Sequence, residues 1–141
     1  MADPKNPPED VELRMRTLRT LWFALSMSIV LYYAFTYVVT SSVRPNSTLS
    51  LVLLVVGVST VLIAFVIKGK LLKQASERRS VPLVQQAYVA TWAITEVAAL
   101  LGLADYFATG NPYFFVLFLI AAGGMLLHFP RREHVLNATS F

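Results

Sequence analysis

A chain of 141 residues that is 56% hydrophobic and 14% charged departs from soluble domains, in which about a quarter of the residues are charged. Of its 20 charged residues only Glu96 and Asp105 fall within four long apolar stretches, which excludes an ordinary soluble core and points to an integral membrane protein. The absence of Cys excludes a disulfide framework, an iron–sulfur cluster and a thiolate metal site, and the net charge of +4 follows membrane topology rather than nucleic-acid binding.

A bilayer core of about 30 Å needs about 20 helical residues. Residues 1–8, with three prolines, read as a disordered lead-in. From Glu9 to Arg19, Val11, Met15 and Leu18 share one helical face, which predicts a short helix lying on the membrane surface and running into the first span. That span extends from Thr20 to Ser42, longer than the apolar region of about 7–15 residues in a signal peptide, so it reads as retained. Arg44-Pro45-Asn46 breaks it. The second span covers Thr48 to Ile67, and Lys68-Gly69-Lys70 is expected to end it. Pro82 suits the first turn of the third span, Leu83 to Phe107. In Gly110-Asn111-Pro112, Gly or Asn can cap that helix and Pro can open the fourth span, Pro112 to Phe129. Backbone groups in hydrocarbon must pair within their own segment, so all four spans are expected to be helices.

Orientation follows from the cations. Eleven of the twelve Lys and Arg lie in the N-terminal segment, the middle loop and the tail, and only Arg44 lies in the first loop. The positive-inside rule then places both termini in the cytoplasm. The expected fold is all-α, a polytopic membrane protein with four transmembrane helices, most simply in a cell inner membrane. Residues 1–19 form an N-terminal cytoplasmic or interfacial segment, 20–129 the transmembrane domain and 130–141 a cytoplasmic tail. Ala98 and Gly102, with the Ala121-Ala122-Gly123-Gly124 patch, predict close helix approach within a bundle or between subunits.

Glu96 is the residue that demands a reason. It stands 13 positions after Leu83 and 11 before Phe107, near mid-span, where an acid costs on the order of 2.5–3.5 kcal/mol. No Lys or Arg lies within a span to pair with it, so hydroxyls are the available partners: Thr91 and Thr95 on its own helix, Ser26, Ser28 and Tyr32 on the first, Ser59 and Thr60 on the second. Two roles fit, a protonatable carboxyl that exchanges a proton or cation and a polar strut that hydrogen-bonds across helices. Asp105, near the other end of the third span, reads as a water-accessible group or a helix-end acceptor. His128 reads as an interfacial histidine too far along the bundle to share a site with Glu96.

The string Ala93-Ile94-Thr95-Glu96-Val97-Ala98-Ala99-Leu100-Leu101-Gly102-Leu103 resembles the carboxylate helix of the rotary ATP synthase subunit c (proteolipid) family. By that resemblance Glu96 would be the ion-binding carboxyl, on a hairpin whose basic loop is cytoplasmic. The family's repeated alternate-glycine helix is absent, since the second span carries Gly57 alone, and the first and fourth spans are additional.

Enzyme signatures are lacking: no G-x-S-x-G, P-loop or H-E-x-x-H motif occurs, and no metal or other cofactor is implied. The sequence therefore predicts a small, non-enzymatic membrane subunit or accessory protein that contacts lipid and other membrane subunits or copies of itself. The alternative is a proton- or cation-translocating, proteolipid-like subunit with Glu96 as the exchanging carboxyl, supported by Thr95, Ser26, Ser28, Tyr32, Ser59 or Thr60.

Overall fold

A computed structural model describes residues 7–139 of the chain. Among the described residues there are five helices and no strand: α1 (Pro7–Val38), α2 (Ser47–Glu77), α3 (Val81–Thr109), α4 (Phe115–Leu127) and α5 (Arg132–Thr139). Three of them, α1 to α3, are long and apolar enough to cross a membrane, and α4 with α5 makes a fourth candidate if the 49° bend between them is counted within one span. The chain runs up and down, with α1 and α3 parallel and α2 and α4 opposed to them. Helix α3 touches every other helix, α4 lies beside it, and α1 and α2 flank the pair without touching one another. Ten of the described Lys and Arg fall at one end, here the basic end, and Arg44 falls at the opposite one.

Residue size sets these contacts. The buried residues of α2 (Ser50, Gly57, Val61 and Ala64) are mostly small and recur at helical spacing, so α2 can approach the central pair closely. A Cβ at Gly57 would overlap the Leu117 Cδ2 methyl of α4, so a side chain there would require Leu117 to change rotamer. Helix α3 buries residues around more than one face, including Tyr88, Trp92, Ala98, Ala99 and Gly102, as a central helix must. The predicted close-approach residues divide: Ala98, Gly102, Ala121 and Gly124 are buried, whereas Ala122 is exposed and Gly123 has open space beside it.

The helix ends follow their local chemistry. Asn46 caps α2 by accepting a hydrogen bond from Leu49 N–H at 3.1 Å. Pro82 sits in the first turn of α3, and Gly110 closes that helix at φ 60°, a conformation that favours glycine. A Cβ on Gly110 would also meet the Val43 carbonyl oxygen at 2.5 Å, because the α1–α2 loop folds over the end of α3. There Asn46 N–H donates to Thr109 O at 2.9 Å, and the Tyr106 hydroxyl donates to Val39 O at 3.0 Å.

Four expectations need correction. Lys68-Gly69-Lys70 does not end α2, which continues to Glu77. A helical glycine costs only about 1 kcal/mol relative to alanine, and this extension packs Ala75 and Leu72 onto the core. The true turn is short: Ser80 N–H donates to Ala75 O at 3.0 Å with Arg79 at φ 47°. Secondly, Pro7 and Pro8 belong to α1 rather than to a structureless lead-in, since a helix's first turn has no N–H bonds for proline to remove; residues 1–6 lie outside the described residues.

Thirdly, the face formed by Val11, Met15 and Leu18 packs inward, in the same core cluster as Val84, Val135 and Ala138 of α3 and α5. Finally, the helix expected over Pro112 to Phe129 is shorter, Phe115–Leu127, and the chain bends where it ends. Helix α4 has 13 residues, about 20 Å, and the chain turns at His128–Arg131 before α5. Pro130 has no N–H with which to extend the helix, and it disfavours a helical conformation at Phe129. Two indoles bond carbonyls at this helix end: Trp22 Nε1–H donates to Met125 O at 2.9 Å and Trp92 Nε1–H to His128 O at 3.0 Å. The stretch 130–139, expected as a tail, is thus part of the packed structure, with Val135 and Ala138 buried.

Candidate functional site

Glu96 lies midway along α3, at the margin of its buried face. Trp92 and Ala99, one turn away on either side, are fully buried, while Ala93 and Leu100 are exposed. The carboxyl is therefore half-buried, in the seam between α3 and α1. Across that seam Ser28 and Tyr32 are four residues apart, on one face of α1. Ser28 Oγ–H donates to Glu96 Oε1 at 2.6 Å and the Tyr32 hydroxyl donates to the same oxygen at 2.9 Å. Tyr33, on the adjoining face of α1, packs against Phe118 of α4 with ring centroids 5.4 Å apart. Helix α1 is thereby seated against both α3 and α4, with hydroxyl contacts to Glu96 of α3 and the Trp22 indole bonded to α4.

Ser28 has one hydroxyl proton and two acceptors, Glu96 Oε1 and Leu25 O, the latter at 2.7 Å. With Glu96 ionised, that proton is directed to the carboxylate. With Glu96 neutral, the acid's own O–H can donate to Ser28 Oγ while Ser28 turns its proton to Leu25 O. The cradle accommodates both protonation states by rotating hydroxyls, with no heavy atom displaced.

The remaining expected partners do not reach Glu96. Thr95 Oγ1 donates to Thr91 O at 2.8 Å, and Thr91 Oγ1 to Ala87 O at 2.6 Å, both along α3 itself. Ser59 and Thr60 bond carbonyls of their own helix, at 2.7 Å each, and α2 does not touch α1. Ser26 Oγ is buried with no hydrogen-bond partner among the described residues. His128 is fully buried with its ring 4.2 Å from that of Phe65 on α2, away from the α1–α3 seam. Among the described residues no group of three or more His, Cys, Asp or Glu could hold a metal ion.

Asp105 requires a different account from the water-accessible one. It is 2% exposed and lies between α2 and α3. Its Oδ2 accepts from Ser50 Oγ–H at 2.9 Å and its Oδ1 from Thr109 Oγ1–H at 2.6 Å, while the Asn111 side-chain amide donates to Ser50 Oγ. Asn111 Oδ1 accepts in turn from Tyr113 N–H at 3.1 Å. The group ties the start of α2, the end of α3 and the turn into α4 together. Thr109 and Asn111 lie within six residues of Asp105, close enough for the sequence to offer them as partners, whereas Ser50 is 55 residues away and carries no such signal.

Comparison with protein-family models, curated proteins and solved structures finds no match for this chain.

Proposed function

We propose that the protein is a small, non-enzymatic integral membrane subunit or accessory protein, a four-helix bundle in which Glu96 fastens α1 to α3. In this reading α4 with its bent continuation serves as the fourth span, both termini are cytoplasmic, and the membrane is a cell inner membrane. The observation that carries the reading is that the Glu96 carboxyl takes both of its hydroxyl partners, Ser28 and Tyr32, from its own chain. A polar group at that depth so satisfied needs no second subunit to explain it. The concentration of cations at one end supports the orientation. Reporter tags at the N- and C-termini are expected to score cytoplasmic, and an external signal from either would overturn the orientation.

One observation favours the second reading, a proton- or cation-exchanging carboxyl of the proteolipid kind: the Ser28 hydroxyl can serve either protonation state of Glu96. Labelling by a carbodiimide that modifies carboxylic acids in apolar surroundings separates the two roles. The strut role predicts slow labelling of Glu96 in native membranes, indifferent to Na⁺, and Glu96→Gln should keep the same co-purifying partners. Protection by Na⁺, with loss of ion flux in Glu96→Gln, would replace the strut by the exchange role.

A further inference from the structure

At the basic end, Tyr88 organises a cluster drawn from three elements. Its ring is fully buried, and Lys68 Nζ of α2 lies 4.7 Å from the ring centroid. Its hydroxyl is 2.5 Å from His134 Nδ1 of α5 and accepts from Arg131 N–H at 2.9 Å. Tyr88 therefore holds both residues at one place, the Arg131 backbone at its hydroxyl and the Lys68 ammonium over its ring. Lys68 is half-buried. The one ion pair among the described residues joins Lys73 to Glu77, which leaves neither Lys68 nor Arg131 with a carboxylate. Glu133 is near enough to act on His134, yet pairs with neither cation.

Two cationic residues anchored on one tyrosine, with no carboxylate paired to either, favour an anion between them. The depth identifies the anion. From Ser47, the first residue of α2, to Lys68 is 21 residues, about 32 Å of helix, which matches the hydrocarbon thickness and sets Lys68 at headgroup level. Phosphate oxygens are the acceptors found there, and Arg and Lys bind them through short charge-assisted hydrogen bonds.

We propose that Lys68 and Arg131, positioned by Tyr88, form a binding site for a phosphate oxyanion, supplied by the headgroup of an anionic phospholipid. The site rests on the membrane reading for the source of the phosphate but not on the orientation or on any role of Glu96, so its failure and theirs are read separately. Lys70 and Lys73 carry the same charge on the same helix but are exposed, and serve as the control.

The test is retention of phosphatidylglycerol against phosphatidylcholine by the full-length protein, measured by native mass spectrometry after purification from vesicles containing equal amounts of both. The wild-type protein should retain phosphatidylglycerol at least about tenfold more than Lys68→Gln/Arg131→Gln, and Lys70→Gln/Lys73→Gln should retain it like wild type. Displacement of the lipid by millimolar inorganic phosphate would assign the site to phosphate alone; resistance would assign it to the whole headgroup. Equal retention by wild type and Lys68→Gln/Arg131→Gln, or equal loss in both double variants, overturns the site. Should the first double variant fail to fold, Arg131→Gln alone, at an exposed position outside the helices, must lower retention several-fold, and an unchanged value overturns the site equally.

Discussion

Glu96→Lys is expected to lower membrane insertion or folding by about 2.5–3.5 kcal/mol, whereas Glu96→Gln should cost less than about 1 kcal/mol. The two substitutions differ in what they place in the α1–α3 seam. Gln keeps the length of the side chain, and its amide oxygen can accept from both Ser28 and Tyr32 as Glu96 Oε1 does. Lys brings a charge to mid-helix with no carboxylate across the seam. Glu96→Leu belongs between them: it leaves the Tyr32 hydroxyl without its acceptor at about 1–3 kcal/mol, while Ser28 keeps Leu25 O. A glycosylation-reporter insertion assay, paired with thermal melting in detergent, should order the variants Gln, Leu, Lys from least to most damaged. Equal tolerance of Gln and Lys would mean that Glu96 looks into a water-filled cavity, and would remove its role as a strut.

The Glu96 cradle was half legible in the sequence, for a definable reason. An acid at mid-span must find hydroxyls, and the sequence offers few within reach, so Ser28 and Tyr32 were already among the candidates. Choosing between them and Ser59 or Thr60 required knowing which helices flank α3 on which side, and helical periodicity carries no such information. The turn after α4 is less legible, because Pro130 signals a stop but not that two indoles 70 residues apart bond the carbonyls of that turn. The continuation of α2 past Gly69 has no signal in the charge pattern, because Lys68-Gly69-Lys70 marks only the end of the apolar stretch and not the end of the helix. Helix α5 was missed although Val135 and Ala138, three residues apart, are its buried face.

Asp105→Leu is the second large effect, at about 2–4 kcal/mol of stability, with Asp105→Asn costing less than half of that. A buried carboxyl with no cation beside it is held by hydroxyls alone, so its removal acts through the partners left behind. Ser50 would keep only the Asn111 amide, while Thr109 would keep the backbone oxygen of residue 105, at 2.8 Å from its hydroxyl, and the Asn111 N–H at 3.2 Å. Asn retains one carbonyl oxygen and offers an amide to the other hydroxyl, so both contacts survive with roles exchanged. The loss should be shared with Ser50. If the pair acts as one unit between α2 and α3, Ser50→Ala/Asp105→Leu will cost at least about 1 kcal/mol less than the sum of the single variants. Strict additivity in thermal or denaturant melts would show that Asp105 serves α3 alone. The same variant reports on the neighbouring loop, because Asn46 N–H is bonded to Thr109 O and Gly110 lies under Val43. Loosening the end of α3 should raise proteolysis or thiol labelling of residues introduced at 41–45. A stable Asp105→Leu with an equally protected loop would assign the α2–α3 junction to apolar packing around Gly57 and Leu101 instead.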